Sequence, residues 1–222
     1  MLAAMGFTAT GICFGIFGYT FYELVVRKAK LGLQKYSYAY YCLGLAMLVW
    51  GIAVAIGGNT ILKQSVIVGD GLLLLGTIFM LELWLGEKYE NWSWLAVVAS
   101  MALLILRATE LPPNPYMKGG ILIFNTQTPA AIILGIIFVG IWLPVNLKVA
   151  KFITHKIKQD IVSNTYAAIY VTATLAALIF IAARRTITVI LSFAAIGISF
   201  ALLIWSNILI AKLTEKKHGK HA

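Results

Sequence analysis

The chain has 222 residues, of which 61% are hydrophobic and only 12% charged, with a formal net charge of +10 and a mean hydropathy of +0.90. A soluble domain carries about 45–50% apolar and about 25% charged residues, so this chain has too little polar surface to coat a globule in water. A cytosolic enzyme, a disordered chain and a secreted disulfide scaffold are thereby excluded. What remains is a polytopic membrane protein, in which every spanning backbone polar group is satisfied within the protein.

A crossing needs about 20 mostly apolar residues. By that measure seven spans are predicted, over about Leu2–Val26, Tyr38–Gly57, Ser65–Gly86, Trp92–Leu106, Pro129–Ala150, Ile161–Ala183 and Thr186–Ala211. The expected fold is an all-α seven-transmembrane-helix bundle, a single domain over residues 1–211 followed by a basic tail at 212–222. The first segment has no basic leader and no A-x-A-like end, and it runs on into Arg27, so it reads as a retained span and not as a signal peptide. The fourth is short but has tryptophans at its start, Trp92 and Trp94.

Lys and Arg fall unevenly between the two sides: thirteen on the side of Arg27, Lys88, Lys148 and the tail, five on the side of Lys63, Arg107, Lys118, Arg184 and Arg185. The positive-inside rule makes the richer side cytoplasmic. The N-terminus is then outside and the C-terminus cytoplasmic, in a multi-pass protein of the cell membrane. The basic excess is a topology signal that also suits anionic lipid headgroups. No basic face interleaved with aromatics speaks for nucleic acid. A second copy or a membrane-complex subunit is the remaining class of partner.

Between the fourth and fifth spans, Ala108–Thr128 carries the run Leu111 to Pro115, then Gly119-Gly120, then the apolar run Ile121 to Phe124. Pro and Gly exclude helix there. The apolar run reads either as a short strand or as a dip into the outer interface. The loop is a spacer between two halves of the bundle, or a lid over an outward-facing cavity.

Ionisable groups inside a span are costly and are functional candidates by default. Asp70 lies about two turns into the third span between Gly69 and Gly71, with Arg107, Arg184 and Arg185 at comparable depth. Paired with one of them it would be structural; unpaired, it could carry a proton. Glu82 lies 12 residues further on, about 18 Å at 1.5 Å per residue, which rules out a carboxylate pair. Glu23, Glu82 and Lys148 approach the basic face at one level and could form an ion-pair cluster. Tyr166, Tyr170 and Thr174, spaced by four, share a face of the sixth span. That face suits either a polar cavity or ordinary interhelical hydrogen bonds. Pro144 removes a backbone hydrogen bond near Asn146, and interrupted helices at mid-depth mark transporter sites. Asn164 opens the sixth span, and Asn207 could meet Asn146 from across the bundle.

Other features fit packing and anchoring. Gly11, Gly15 and Gly18 make a small-residue stripe, and Ser192, Ser199 and Ser206 recur every seven residues. Tyr36, Tyr38, Tyr40 and Tyr41, with Trp92 and Trp94, read as an interfacial belt. Cys13 and Cys42 lie in apolar stretches as small hydrophobes. The three histidines fall outside the spans, and no Cys/His spacing suits zinc, so neither a metal nor a cofactor is expected.

A weak repeat joins Gly11-Ile-Cys-Phe-Gly-Ile-Phe to Gly135-Ile-Ile-Phe-Val-Gly-Ile-Trp, Tyr36–Tyr40 to Ser163–Tyr166, and Thr60-Ile61 to Thr186-Ile187. The implied plan is three helices, a linker helix and three more in the same orientation. It resembles the three-plus-one-plus-three layout of the SWEET and PQ-loop transporters and of the KDEL receptors, in helix count, orientation and length, although the Pro-Gln signature is absent. A microbial rhodopsin would need a lysine deep in the last span, and Ile187–Ile210 has none.

Without a Ser/His, metal or close-carboxylate constellation, the chain reads as a non-enzyme. The first expectation is a small-solute or ion carrier with a cavity among the third, fifth, sixth and seventh spans. Asp70, Asn146, Asn164, Tyr170 and Asn207 would line it and Pro144 would flex. The alternative is a seven-helix sensor, receptor or assembly subunit acting through a cytoplasmic partner.

Overall fold

The computed structural model describes residues 2–27, 33–86, 89–109, 116–118, 121–123, 128–157, 160–182 and 185–218. These form seven helical rods. The first is α1 (Leu2–Thr20), continued by π-helical turns over Phe21–Arg27; α2 (Gln34–Ile56), α3 (Asn59–Leu85) and α4 (Tyr89–Thr109) follow. The fifth rod joins α5 (Thr128–Ile136) through π-helical turns at Ile137–Trp142 to α6 (Leu143–Ile157), and α7 (Asp160–Ala182) and α8 (Thr186–His218) complete the bundle. Each rod covers one predicted span. Five are long and apolar enough to cross a membrane, while the described apolar stretches of the fourth and sixth rods, Trp94–Thr109 and Thr165–Ile181, are shorter.

The surface is inside-out relative to a soluble protein. Large apolar side chains such as Ile52, Val98, Met101, Ile132, Leu191 and Ile198 are about half exposed or more, while Asp70, Arg107, Asn146 and Asn207 are buried. In water such a surface would be one large adhesive patch. In hydrocarbon it is the favoured arrangement, and charges turn inward. The apolar helices and this polarity fit an integral membrane protein.

The rods close into a ring. α1 packs on α2 and α8, α2 on α3, α3 on α4 and on the π-turn and α6 of the fifth rod, and that rod on α7, which packs on α8. The α2–α3 connection is only Gly57-Gly58, with φ of 81° and 92°, a conformation open to glycine and unfavourable for side chains. At Gly11 and Gly44 the α1 and α2 backbones touch directly: a Cβ at either position would come within 2.8–2.9 Å of the other's carbonyl oxygen. Gly18 also presses on α2, whereas a Cβ at Gly15 would meet nothing. The Ser192, Ser199 and Ser206 hydroxyls each donate to the carbonyl four residues back, so they leave small, self-satisfied surfaces on α8. Cys13 and Cys42 are free thiols.

The all-helical expectation needs one amendment. In the connection after α4, β1 (Tyr116–Lys118) and β2 (Ile121–Ile123) pair antiparallel, with Tyr116 opposite Ile123. The strand alternative therefore describes the apolar run. β2 packs on α1 and α8 and buries Ile123 completely. The Pro-rich run and Gly119-Gly120 lie outside the described residues.

Candidate functional site

Asp70 on α3 and Arg107 on α4 form an ion pair, Nε to Oδ2 at 2.7 Å, with both side chains almost completely buried. Arg107 is one of the three arginines that depth in the membrane singled out. Removing two charges from water is costly unless each compensates the other with good geometry, and a short charge-assisted contact does so. The pairing removes the expectation of a lone, proton-carrying Asp70.

A second polar group, a hydroxyl–amide network, joins α2, α6 and α7. Tyr36 reaches Asn146 Oδ1 at 2.9 Å and the Tyr170 hydroxyl at 2.5 Å, and Tyr40 reaches Asn146 Oδ1 at 3.0 Å. Each hydroxyl has one proton, and Tyr170 has no other acceptor among the described residues. Proton order follows: Tyr170 donates to Tyr36, Tyr36 to Asn146, and Tyr40 to the same amide oxygen. Both hydroxyls meet the amide on its oxygen side. All four side chains are at most 4% exposed.

The fifth rod positions Asn146. Pro144 has no N–H and its ring collides with the carbonyl four residues back in a regular helix. Here the ladder widens just before it: the Leu143 N–H bonds to the Phe138 carbonyl, five residues back. The wider turn brings Trp142 inward, where its Nε1 donates to Thr77 Oγ1 at 3.0 Å on α3 and its ring meets Tyr40 edge-on at 5.5 Å. Such π-turns recur at functional sites.

Between the ion pair and the tyrosine network lies a cavity of about 80 Å³. Asp70, Arg107, Tyr40, Asn146 and Tyr170 line it, but most of its wall is apolar, from Leu43 and Met47 on α2 to Phe138 on the fifth rod, Phe180 on α7 and Phe200 on α8. All seven rods contribute, not only the four expected. α2 supplies Tyr40, Leu43, Met47 and Trp50, a wall that sequence reasoning missed. Tyr36 and Tyr40 belong to the core, not to an interfacial belt; Tyr38, 43% exposed, is the outward member of that run.

Other expected residues have different settings. Asn207, fully buried, accepts from Tyr166 and donates to Thr20 Oγ1 at 3.1 Å on α1, away from the cavity wall. Pro144 shapes the rod but does not line the space. The Asn164 side chain lies outside the described residues. Glu23, Glu82 and Lys148 do not form a cluster: Glu23 pairs with Arg27 one turn on at 2.9 Å, Glu82 with Lys35 at 2.6 Å, and Lys148 donates to the Trp84 carbonyl at 3.3 Å. Nearer opposite charges satisfy both carboxylates first.

No family model, curated protein or solved structure matches the chain, so its relationships rest on its own residues and geometry.

Proposed function

We propose that the protein is a small-solute carrier of the membrane whose binding site is the cavity between the Asp70–Arg107 pair and the Tyr36–Tyr40–Asn146–Tyr170 network. The observation that carries this reading is the cavity itself, a space bounded by all seven rods and lined by the Asp70–Arg107 pair and by Tyr40, Asn146 and Tyr170. Ligand sites are typically apolar spaces with a few well-placed polar groups, and the interrupted fifth rod supplies a place to flex. An ion as cargo is disfavoured, because the two charges on the wall neutralise each other. The reading includes no catalytic step.

The same reading takes the N-terminus as outside and the tail as cytoplasmic in the cell membrane, on the Lys/Arg asymmetry. It treats the helix triplets as a parallel duplication. In support, α2 packs between α1 and α3 just as α7 packs between the fifth rod and α8, and each middle helix has a buried tyrosine pair four residues apart.

Accessibility tests the carrier. With Cys13 and Cys42 replaced by Ala, Thr174→Cys places a thiol on the cavity wall. A carrier exposes it to a membrane-impermeant thiol reagent from both faces, in right-side-out and inverted vesicles. Labelling from neither face would favour the sensor or receptor alternative, with a sealed ligand pocket.

A further inference from the structure

On the reading of this cavity as a solute site, we propose that it takes a small, electrically neutral, mostly hydrocarbon molecule bearing one hydrogen-bond-accepting oxygen, which the Asn146 amide N–H₂ receives.

Three observations carry this. The first is a donor without a partner. Asn146 Oδ1 accepts from Tyr36 and Tyr40, while its amide nitrogen has no hydrogen bond among the described residues. Among these residues, Ser37 Oγ is the one fully sealed side-chain polar atom lacking a partner. The Asn146 nitrogen, unpartnered yet not fully sealed, therefore opens on the cavity that its side chain lines. The three tyrosine protons are committed within the network, which leaves the amide as the donor available at that end. A buried donor left empty costs the full desolvation penalty, and a ligand oxygen removes it.

The second is charge. Asp70 and Arg107 are the charged residues on the wall, and they face each other at 2.7 Å. An anionic or cationic ligand would shed its water with no uncompensated partner to meet it. The third is the rest of the wall. Leu43, Met47, Phe138, Phe180 and Phe200 line it, so beyond its oxygen the ligand meets hydrocarbon.

The test uses the full chain in lipid nanodiscs and acetone labelled with ¹³C at the carbonyl, whose resonance moves downfield when the oxygen accepts a hydrogen bond. We expect a saturable, shifted carbonyl signal, displaced by unlabelled acetone and not by acetate or methylammonium at neutral pH. Asn146→Ala, assayed with helical content and elution equal to the parent's, is expected to abolish the shift and weaken binding roughly tenfold, the equivalent of one net hydrogen bond. Ala177→Phe, which fills the cavity that Ala177 lines, abolishes binding. Equal displacement by acetate or methylammonium overturns the neutral-ligand assignment, and this arm needs no variant. A bound ketone with an unshifted carbonyl overturns the role of Asn146. Saturable, shifted binding together with a Thr174→Cys thiol closed to both faces would sink the carrier and leave this inference standing. No saturable binding to a protein labelled from both faces would do the reverse.

Discussion

Arg107 Nε lies 2.7 Å from Asp70 Oδ2, joining α4 to α3 where neither side chain is more than 4% exposed. The two residues are 37 positions apart, and a charge in this interior is tolerated through compensation. Removing one partner leaves the other buried and unpaired, which typically costs about 3–5 kcal/mol. Asp70→Asn and Arg107→Gln are each expected to destabilise the fold by about that amount. The double variant should lose clearly less than the two combined. Denaturant unfolding in mixed micelles measures the cycle; simple additivity would mean that the pair is not coupled as its geometry requires.

Tyr36 and Tyr40 both donate to Asn146, but only Tyr36 also accepts, from Tyr170. Tyr36→Phe therefore strands two groups and Tyr40→Phe one. With buried hydrogen bonds worth about 0.5–1.5 kcal/mol each, the Tyr36 variant should lose about twice as much stability. Unfolding of the two single variants compares them directly, and an equal loss would contradict the proton order.

What the sequence made legible follows from what is local. The seven helices were readable because a crossing demands a length and an apolar content that stand out in sequence, and five of the rods meet that measure. Tyr166, Tyr170 and Thr174 could be placed on one face because helical spacing alone determines it, and all three are buried. Arg107 could be named only as one of three by depth, since choosing among them needs lateral packing. Tyr36 and Tyr40 were misread because an aromatic hydroxyl near a span end has the composition of an interfacial anchor. What turns them inward is Asn146, 110 residues away from Tyr36. A signal was present nonetheless: the four-residue Tyr36/Tyr40 spacing has a counterpart in Tyr166/Tyr170. The Glu23/Glu82/Lys148 grouping failed for the opposite reason. Depth alone was matched, while Arg27 stood one turn from Glu23 and Lys35 within reach of Glu82.

The Lys35–Glu82 pair tests the contrast with Asp70–Arg107. Its contact is just as short, 2.6 Å, but the side chains are 53% and 24% exposed. Water and salt screen such pairs, and they contribute about 0.2–1 kcal/mol. Glu82→Gln should thus shift stability by less than about 1 kcal/mol, and the shift should shrink further in high salt. Thermal unfolding at low and high ionic strength reads both; a loss as large as that of Asp70→Asn would make this pair structural.

Gly69 and Gly71 are two residues apart on α3 and should respond with opposite sign to the same substitution. A Cβ at Gly69 would collide with Trp50 Nε1, part of an indole that donates to the Ser65 carbonyl at 3.0 Å. Gly69→Ala must therefore push Trp50 off that carbonyl and into the cavity it lines. Overpacking and a lost hydrogen bond together should cost about 2–4 kcal/mol. At Gly71 a Cβ meets nothing within 4 Å, so Gly71→Ala gains helix propensity of about 0.5–1 kcal/mol. Unfolding of the two variants gives the signs. Tryptophan emission adds an independent readout, red-shifted in Gly69→Ala as the displaced indole loses its dry seat and unchanged in Gly71→Ala. If both substitutions stabilised the fold, the seat of Trp50 over Gly69, and with it this wall of the cavity, would be misplaced.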